Sequence, residues 1–139
     1  MSATTTHDTL SVGTLLRLGR VSNLPTVWTN VAAATAIAGG DLLSGRSASV
    51  FAATTLFYLG GMYLNDAFDR SIDARERPTR PIPSGQISAP AVFGAGLAML
   101  ALGTVLIGLS GVAAAVAGLV LAGTILLYDY HHKGNPLSP

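Results

Sequence analysis

Four long runs without a single charged side chain decide most of what this chain can fold into. They cover residues 24–40, 48–64, 90–109 and 112–128. Each is close to the length of helix, about 20 residues, that crosses a bilayer core about 30 Å thick. Inside lipid a backbone must satisfy its own hydrogen bonds, so such runs are expected to be helices. Half of the 139 residues are hydrophobic and 11% are charged, against about 25% charged in an ordinary soluble domain. Too little polar chain remains to cover four apolar runs with water-compatible surface. The expected fold is all-α, a polytopic bundle of four transmembrane spans. Residues 1–10 are expected to form a disordered tail, and residues 11–139 a single transmembrane helical domain. Gly94, Gly103 and Gly118 fall within the runs and are expected to let helices approach closely.

The chain has no cysteine, which excludes disulfides and thiolate ligands. Net charge is +1, and its placement says more than its sum. Arg17 and Arg20 precede the first run, Arg70, Arg75, Arg77 and Arg80 separate the second from the third, and Lys133 follows the fourth. The connection after the first run carries only Arg46, offset by Asp41. Basic residues mark the cytoplasmic side. Both termini and the 66–88 loop are therefore expected there, in agreement with an even number of spans. The lipid bilayer is an expected partner; nucleic acid is not. The segment from residue 78 to residue 90 holds four of the seven prolines, so it should be a connector of fixed shape.

The residues that carry chemistry lie between 65 and 85. Asp66, Asp69 and Asp73 stand at i, i+3 and i+7, a spacing that sets three carboxylates along one side of a helix. Asn65 adjoins them. Like charges so placed repel unless something positive intervenes. Mg²⁺ is held by one or two carboxylates together with phosphate oxygens of a substrate. The arginines that follow supply forked donors for phosphate. Acids for a metal, bases for an anion and an apolar volume beneath them outline a site for a diphosphate with a hydrocarbon tail. The plainer reading is a solvated juxtamembrane helix, with Asp69 paired to Arg70 or Arg77 and the arginines serving topology and lipid headgroups.

The order Asn65-Asp66-Ala67-Phe68-Asp69-Arg70-Ser71-Ile72-Asp73, continued by Arg77-Pro78-Thr79-Arg80-Pro81-Ile82-Pro83-Ser84-Gly85, resembles the first aspartate-rich motif of the UbiA superfamily of intramembrane prenyltransferases. Arg17, Arg20, Asn23 and Pro25, and the segment from Tyr128 to Lys133, are similar to the family's first helix entrance and to the end of its fourth span. The resemblance implies Mg²⁺-dependent transfer of a prenyl group from an isoprenoid diphosphate to a lipophilic or aromatic acceptor. It implies Asn65, Asp66, Asp69 and Asp73 as metal ligands, with the three aspartates catalytic. It implies Arg20, Asn23, Arg77, Arg80 and Lys133 as substrate-binding residues.

Family members have about nine helices and a second aspartate-rich motif, which does not follow here. The expectation is an N-terminal part of a longer protein or a truncated product. Alone, it would bind metal-diphosphate weakly and turn over poorly or not at all, unless self-association completes the bundle. The CDP-alcohol phosphatidyltransferase pattern fits less well, because Asp69 is followed by Arg70 where that pattern needs glycine. A non-catalytic membrane scaffold or lipid-binding half-bundle stays open as the alternative.

Overall fold

A computed structural model describes residues 11–131. Residues 1–10, expected to be a tail, and Lys133, expected to bind substrate, lie outside them. Five α-helices and one short 3₁₀ turn make up the described chain, and no strand occurs among those residues.

The helices start where the sequence offers caps. Helix α1 (Val12–Leu18) begins at Ser11, whose hydroxyl accepts the Thr14 amide. A 3₁₀ turn (Val21–Asn23) leads into α2 (Leu24–Ile37), with Pro25 in its first turn. Ser44 caps α3 (Gly45–Glu76) and Ser88 caps α4 (Ala89–Gly108). Each of these serine oxygens satisfies an amide that has no partner within its helix. A turn at Gly111 then opens α5 (Val112–His131).

Three helices, α3, α4 and α5, are long and apolar enough to cross a membrane. Four spans were expected, and the first falls short. Helix α2 has 14 residues, about 21 Å at 1.5 Å per residue, against a core of about 30 Å. It ends at Ile37 because the run closes on Gly39, which takes a left-handed φ of 70°, a conformation that glycine adopts without strain. Helix α3 is the opposite case. Its 32 residues reach about 48 Å, so a charged extension projects beyond the apolar stretch that ends at Leu64.

Helices α3 and α4 run antiparallel in close contact, and glycines make this possible. A Cβ on Gly96 would stand 2.7 Å from Leu64 Cγ and 3.1 Å from the Gly60 carbonyl oxygen. A Cβ on Gly103 would meet the Ala53 carbonyl oxygen at 3.2 Å. Gly103 and Gly118 are packing positions as expected, whereas Gly94 faces open space with nothing within 4 Å. Around the contact, Ala53, Phe57, Leu64 and Leu100 form one buried cluster, and Leu18, Tyr63, Ala67 and Val92 form another. An edge-to-face pair, Phe68 on Phe93 with centroids 5.4 Å apart, adds to the same seam.

The outer faces of α4 and α5 carry exposed Leu102, Val105, Leu119 and Val120. Water would penalise such a continuous apolar surface, and lipid does not. The protein is thus a multi-pass integral membrane protein. Among the described residues, every arginine except Arg46 lies at one end. Arg17 of α1 bonds Gln86 of the 77–88 loop, and Ser49 meets Ser110 at the far end.

Gly96→Val should destabilise the bundle by about 1–3 kcal/mol through overpacking. Gly94→Ala should stabilise it by up to about 1 kcal/mol through helix propensity. Thermal unfolding midpoints in one detergent check both, and equal shifts would contradict the packing described.

Candidate functional site

The site begins with a stripe on α3. Thr54, Phe57, Tyr58, Gly61, Met62 and Asn65 recur at helical spacing, and all line one groove between α3 and α5. Opposite them stand Leu121, Thr124, Ile125, Tyr128 and Asp129 of α5, with Arg20 closing the charged end. The cavity holds about 560 Å³. Its deep end is walled by Phe57, Leu121 and Ile125, and its mouth by Arg20, Asn65, Tyr128 and Asp129. Gly61 keeps the two helices close, since its Cβ would touch Ile125 at 3.4 Å.

The acidic motif straddles two environments. On an ideal helix Asp69 lies about 40° from Asn65 and about 40° from Asp73, with Asp66 beyond Asp73. The Asn65 edge of this arc looks into the groove. The Asp66 and Asp73 edge turns to the 77–88 loop, where both carboxylates are buried. Arg80 Nη1 donates to Asp73 Oδ2 at 2.7 Å and to Asp66 Oδ1 at 3.4 Å. Arg20 Nη2 donates to the same Asp66 oxygen at 3.3 Å.

The like-charge problem that the sequence poses is therefore answered, for these two acids, by guanidinium groups. Among the described residues no three acids or histidines come together closely enough to enclose a metal ion. Asp66 lies beyond the apolar stretch of α3. Burial pushes its carboxyl above the ordinary range, Arg80 and Arg20 pull it down, and Asp73 and Asp69 raise it again.

The other expected ligand-binding residues separate. Arg20 is at the mouth of the groove. Arg80 is committed to the two aspartates and reaches the groove only through Asp66. Arg77 is exposed, with its guanidinium 4.0 Å from Asp73. Asn23 is exposed on the 3₁₀ turn and does not line the groove.

Arg20 also has the one positive φ outside glycine among the described residues, φ 43° and ψ 48°. A side-chain-bearing residue pays for that left-handed conformation, and here neighbours hold it. Tyr58 Oη donates to the Arg20 carbonyl at 3.2 Å, and the Asn23 amide donates to the same oxygen at 2.9 Å.

Sequence reasoning missed most of the groove's lining, Tyr58, Thr124 and Asp129 among it. Tyr58 reads as an interfacial anchor, yet it sits seven residues before Asn65, and that spacing is the signal that places it on the stripe. Thr124 and Asp129 fall on the matching face of α5. A lone acid at the end of an apolar run is itself a reason to suspect function. Tyr63, also on α3, packs in the core instead of lining the groove. Its hydroxyl donates to the Leu15 carbonyl at 3.1 Å.

Comparison with known proteins places the chain in a family. A family model described as the UbiA prenyltransferase family matches residues 24–139. The chain is similar to the digeranylgeranylglyceryl phosphate synthase of Methanothrix thermoacetophila, 38% identical over 64% of the chain and 33% of that protein. It is similar to the synthase of the same name from Methanopyrus kandleri, 34% identical over 76% of the chain and 41% of that protein. For the Methanosarcina mazei protein the figures are 32%, 91% and 48%. A solved structure concerned with digeranylgeranylglyceryl phosphate synthase in membranes superposes with a TM-score of 0.79 at 30% identity, over 88% of this chain and 44% of that one. The chain thus spans a third to a half of the length of these relatives.

Both Arg20→Gly and Arg20→Ala remove the guanidinium, but only glycine relieves the backbone. The alanine variant should be the less stable by about 1 kcal/mol. Detergent thermal melts of the two, side by side, read the difference, and identical melts would remove the argument for strain at this turn.

Proposed function

Because the chain belongs to the UbiA prenyltransferase family, we propose that it serves the transfer of a prenyl group from an isoprenoid diphosphate to an acceptor. The observation that carries this reading is the groove between α3 and α5, apolar at depth and polar at its mouth. The hydrocarbon tail lies along Phe57, Leu121 and Ile125, which exclude water. The diphosphate lies at the mouth, with Arg20 as its guanidinium partner. Within the acidic motif, Asn65 lines the groove and Asp69 stands one helical turn beyond it. They fit the usual Mg²⁺ arrangement of one or two protein oxygens completed by substrate phosphates. These two residues would hold the ion, which would supply positive charge for the departing diphosphate.

The chain's own residues do the rest. As the C–O bond to diphosphate breaks, its electron pair leaves with the phosphate oxygen, and the allylic carbon becomes cationic. The rings of Tyr58 and Tyr128 border that space and favour a cation. The acceptor's nucleophilic atom bonds to this carbon and gives its proton to the departed diphosphate. The relatives' name specifies geranylgeranyl groups on glyceryl phosphate. We extend this to the chain, with a geranylgeranyl diphosphate donor and a phosphorylated glycerol acceptor. The basic end of the bundle is placed on the cytoplasmic side.

One observation favours a second reading, a non-catalytic lipid-binding bundle. Asp66 and Asp73 already have their charge compensated by Arg80 and Arg20.

Geranylgeranyl diphosphate separates the two readings. With Mg²⁺ it should slow hydrogen exchange across residues 65–85, and chelation of the metal should abolish the effect. Asp69→Ala should weaken the protection at least tenfold in ligand concentration. Undiminished protection in that variant, or protection indifferent to Mg²⁺, would leave the lipid-binding reading. Separately, Gly61→Leu should fill the groove and block tail binding, whereas Gly61→Ala should preserve it.

A further inference from the structure

We propose that Asp66 and Asp73 are positioning residues: with Arg80 and Arg20 they form an ionic clasp that fixes the mouth of the groove, and they take no part in holding a metal ion. The division between clasp and ligands rests on the function proposed above; the clasp itself rests on the ion pairs alone.

Three separate segments meet at this clasp. Asp66 and Asp73 come from the charged end of α3, Arg80 from the 77–88 loop, and Arg20 from the turn after α1. The two carboxylates are 9% and 4% exposed as side chains, and Arg80 is 25% exposed. Buried charges of this kind are costly to strip of a partner, so each segment is held by the others. Arg80 is fixed in turn by its backbone. Its amide donates to the Arg77 carbonyl at 3.1 Å, and its carbonyl accepts from the Ser84 amide at 2.9 Å. From the same loop Gln86 accepts from Thr14 and Arg17 of α1, both at 2.9 Å. The loop is thereby sewn to α1 on one side and to α3 on the other.

Asp66 is the hub, because one of its oxygens takes both guanidinium groups. Arg20 then sits where it lines the groove beside Asn65, and the clasp decides where the groove's guanidinium stands. A divalent ion on Asp66 or Asp73 would have to displace Arg80 from its short bond. An ion on Asn65 and Asp69 leaves that bond intact.

Two measurements on the whole chain in nanodiscs test this. The first is hydrogen exchange of residues 77–88. Asp73→Asn and Arg80→Gln should each accelerate it at least tenfold, and the double variant should fall well short of the two effects combined, because both break the Arg80–Asp73 pair. Arg80→Lys, the milder change, keeps the charge and should restore at least half of the protection. Additive acceleration, or none, overturns the clasp.

The second uses Mn²⁺ with inorganic diphosphate as the probe, read by electron paramagnetic resonance. Asp73→Asn should leave the line shape of bound Mn²⁺ as in the unaltered protein, while Asn65→Ala and Asp69→Ala should change or abolish it. A changed line shape in Asp73→Asn overturns the assignment of ligands. Failure of the unaltered protein to bind Mn²⁺ with diphosphate would overturn that assignment and the proposed function together, while the exchange measurement would still decide the clasp.

Discussion

Carboxylates withdrawn from water must be matched by positive charge, and at the end of α3 two of them are matched largely by one guanidinium. Arg80 reaches Asp66 and Asp73 together, and Arg20 adds a second contact to Asp66. Everything at the charged end of the bundle is arranged around that compensation. The loop after α3 folds back so that Arg80 can reach. The turn after α1 takes a left-handed residue so that Arg20 can reach. A solvated surface would demand neither, because exposed pairs contribute little.

Packing in the apolar part follows a different rule. Lipid is as apolar as leucine, so burial of leucine drives no association there, and close approach of backbones does. Gly60, Gly96 and Gly103 bring α3 and α4 together, and the large side chains gather around that seam. Helix α5 meets α3 at Phe57 and Gly61, and beside these contacts the two leave the groove. The same economy of small residues that tightens one helix pair opens a cavity beside the other.

These two regions meet at Asn65. Below it the groove accepts hydrocarbon; above it the clasp governs charge. On the reading proposed above, a ligand with an anionic head and an apolar tail would satisfy both at once. The relatives carry more than twice the residues matched here, so the reading of the groove is a reading of the part of the site that these helices build.

Much was legible in the sequence. Uncharged runs announce membrane helices because no other backbone is tolerated in lipid, and the ordered motif from Asn65 to Gly85 announces the family. Spacing alone also placed Asp66, Asp69 and Asp73 on one side of a helix. It could not say that the arc would be divided between two neighbours, because that depends on where the 77–88 loop returns. Nor could it say that Arg80 would turn inward to the acids while Arg77 stayed exposed, since both follow the motif at similar distance. The length of α2 escaped too: hydropathy counts the residues up to Gly40, but the helix stops at Ile37, where the backbone turns. Local patterns set the elements, whereas the pairing of charges from distant segments was decided only when the helices packed.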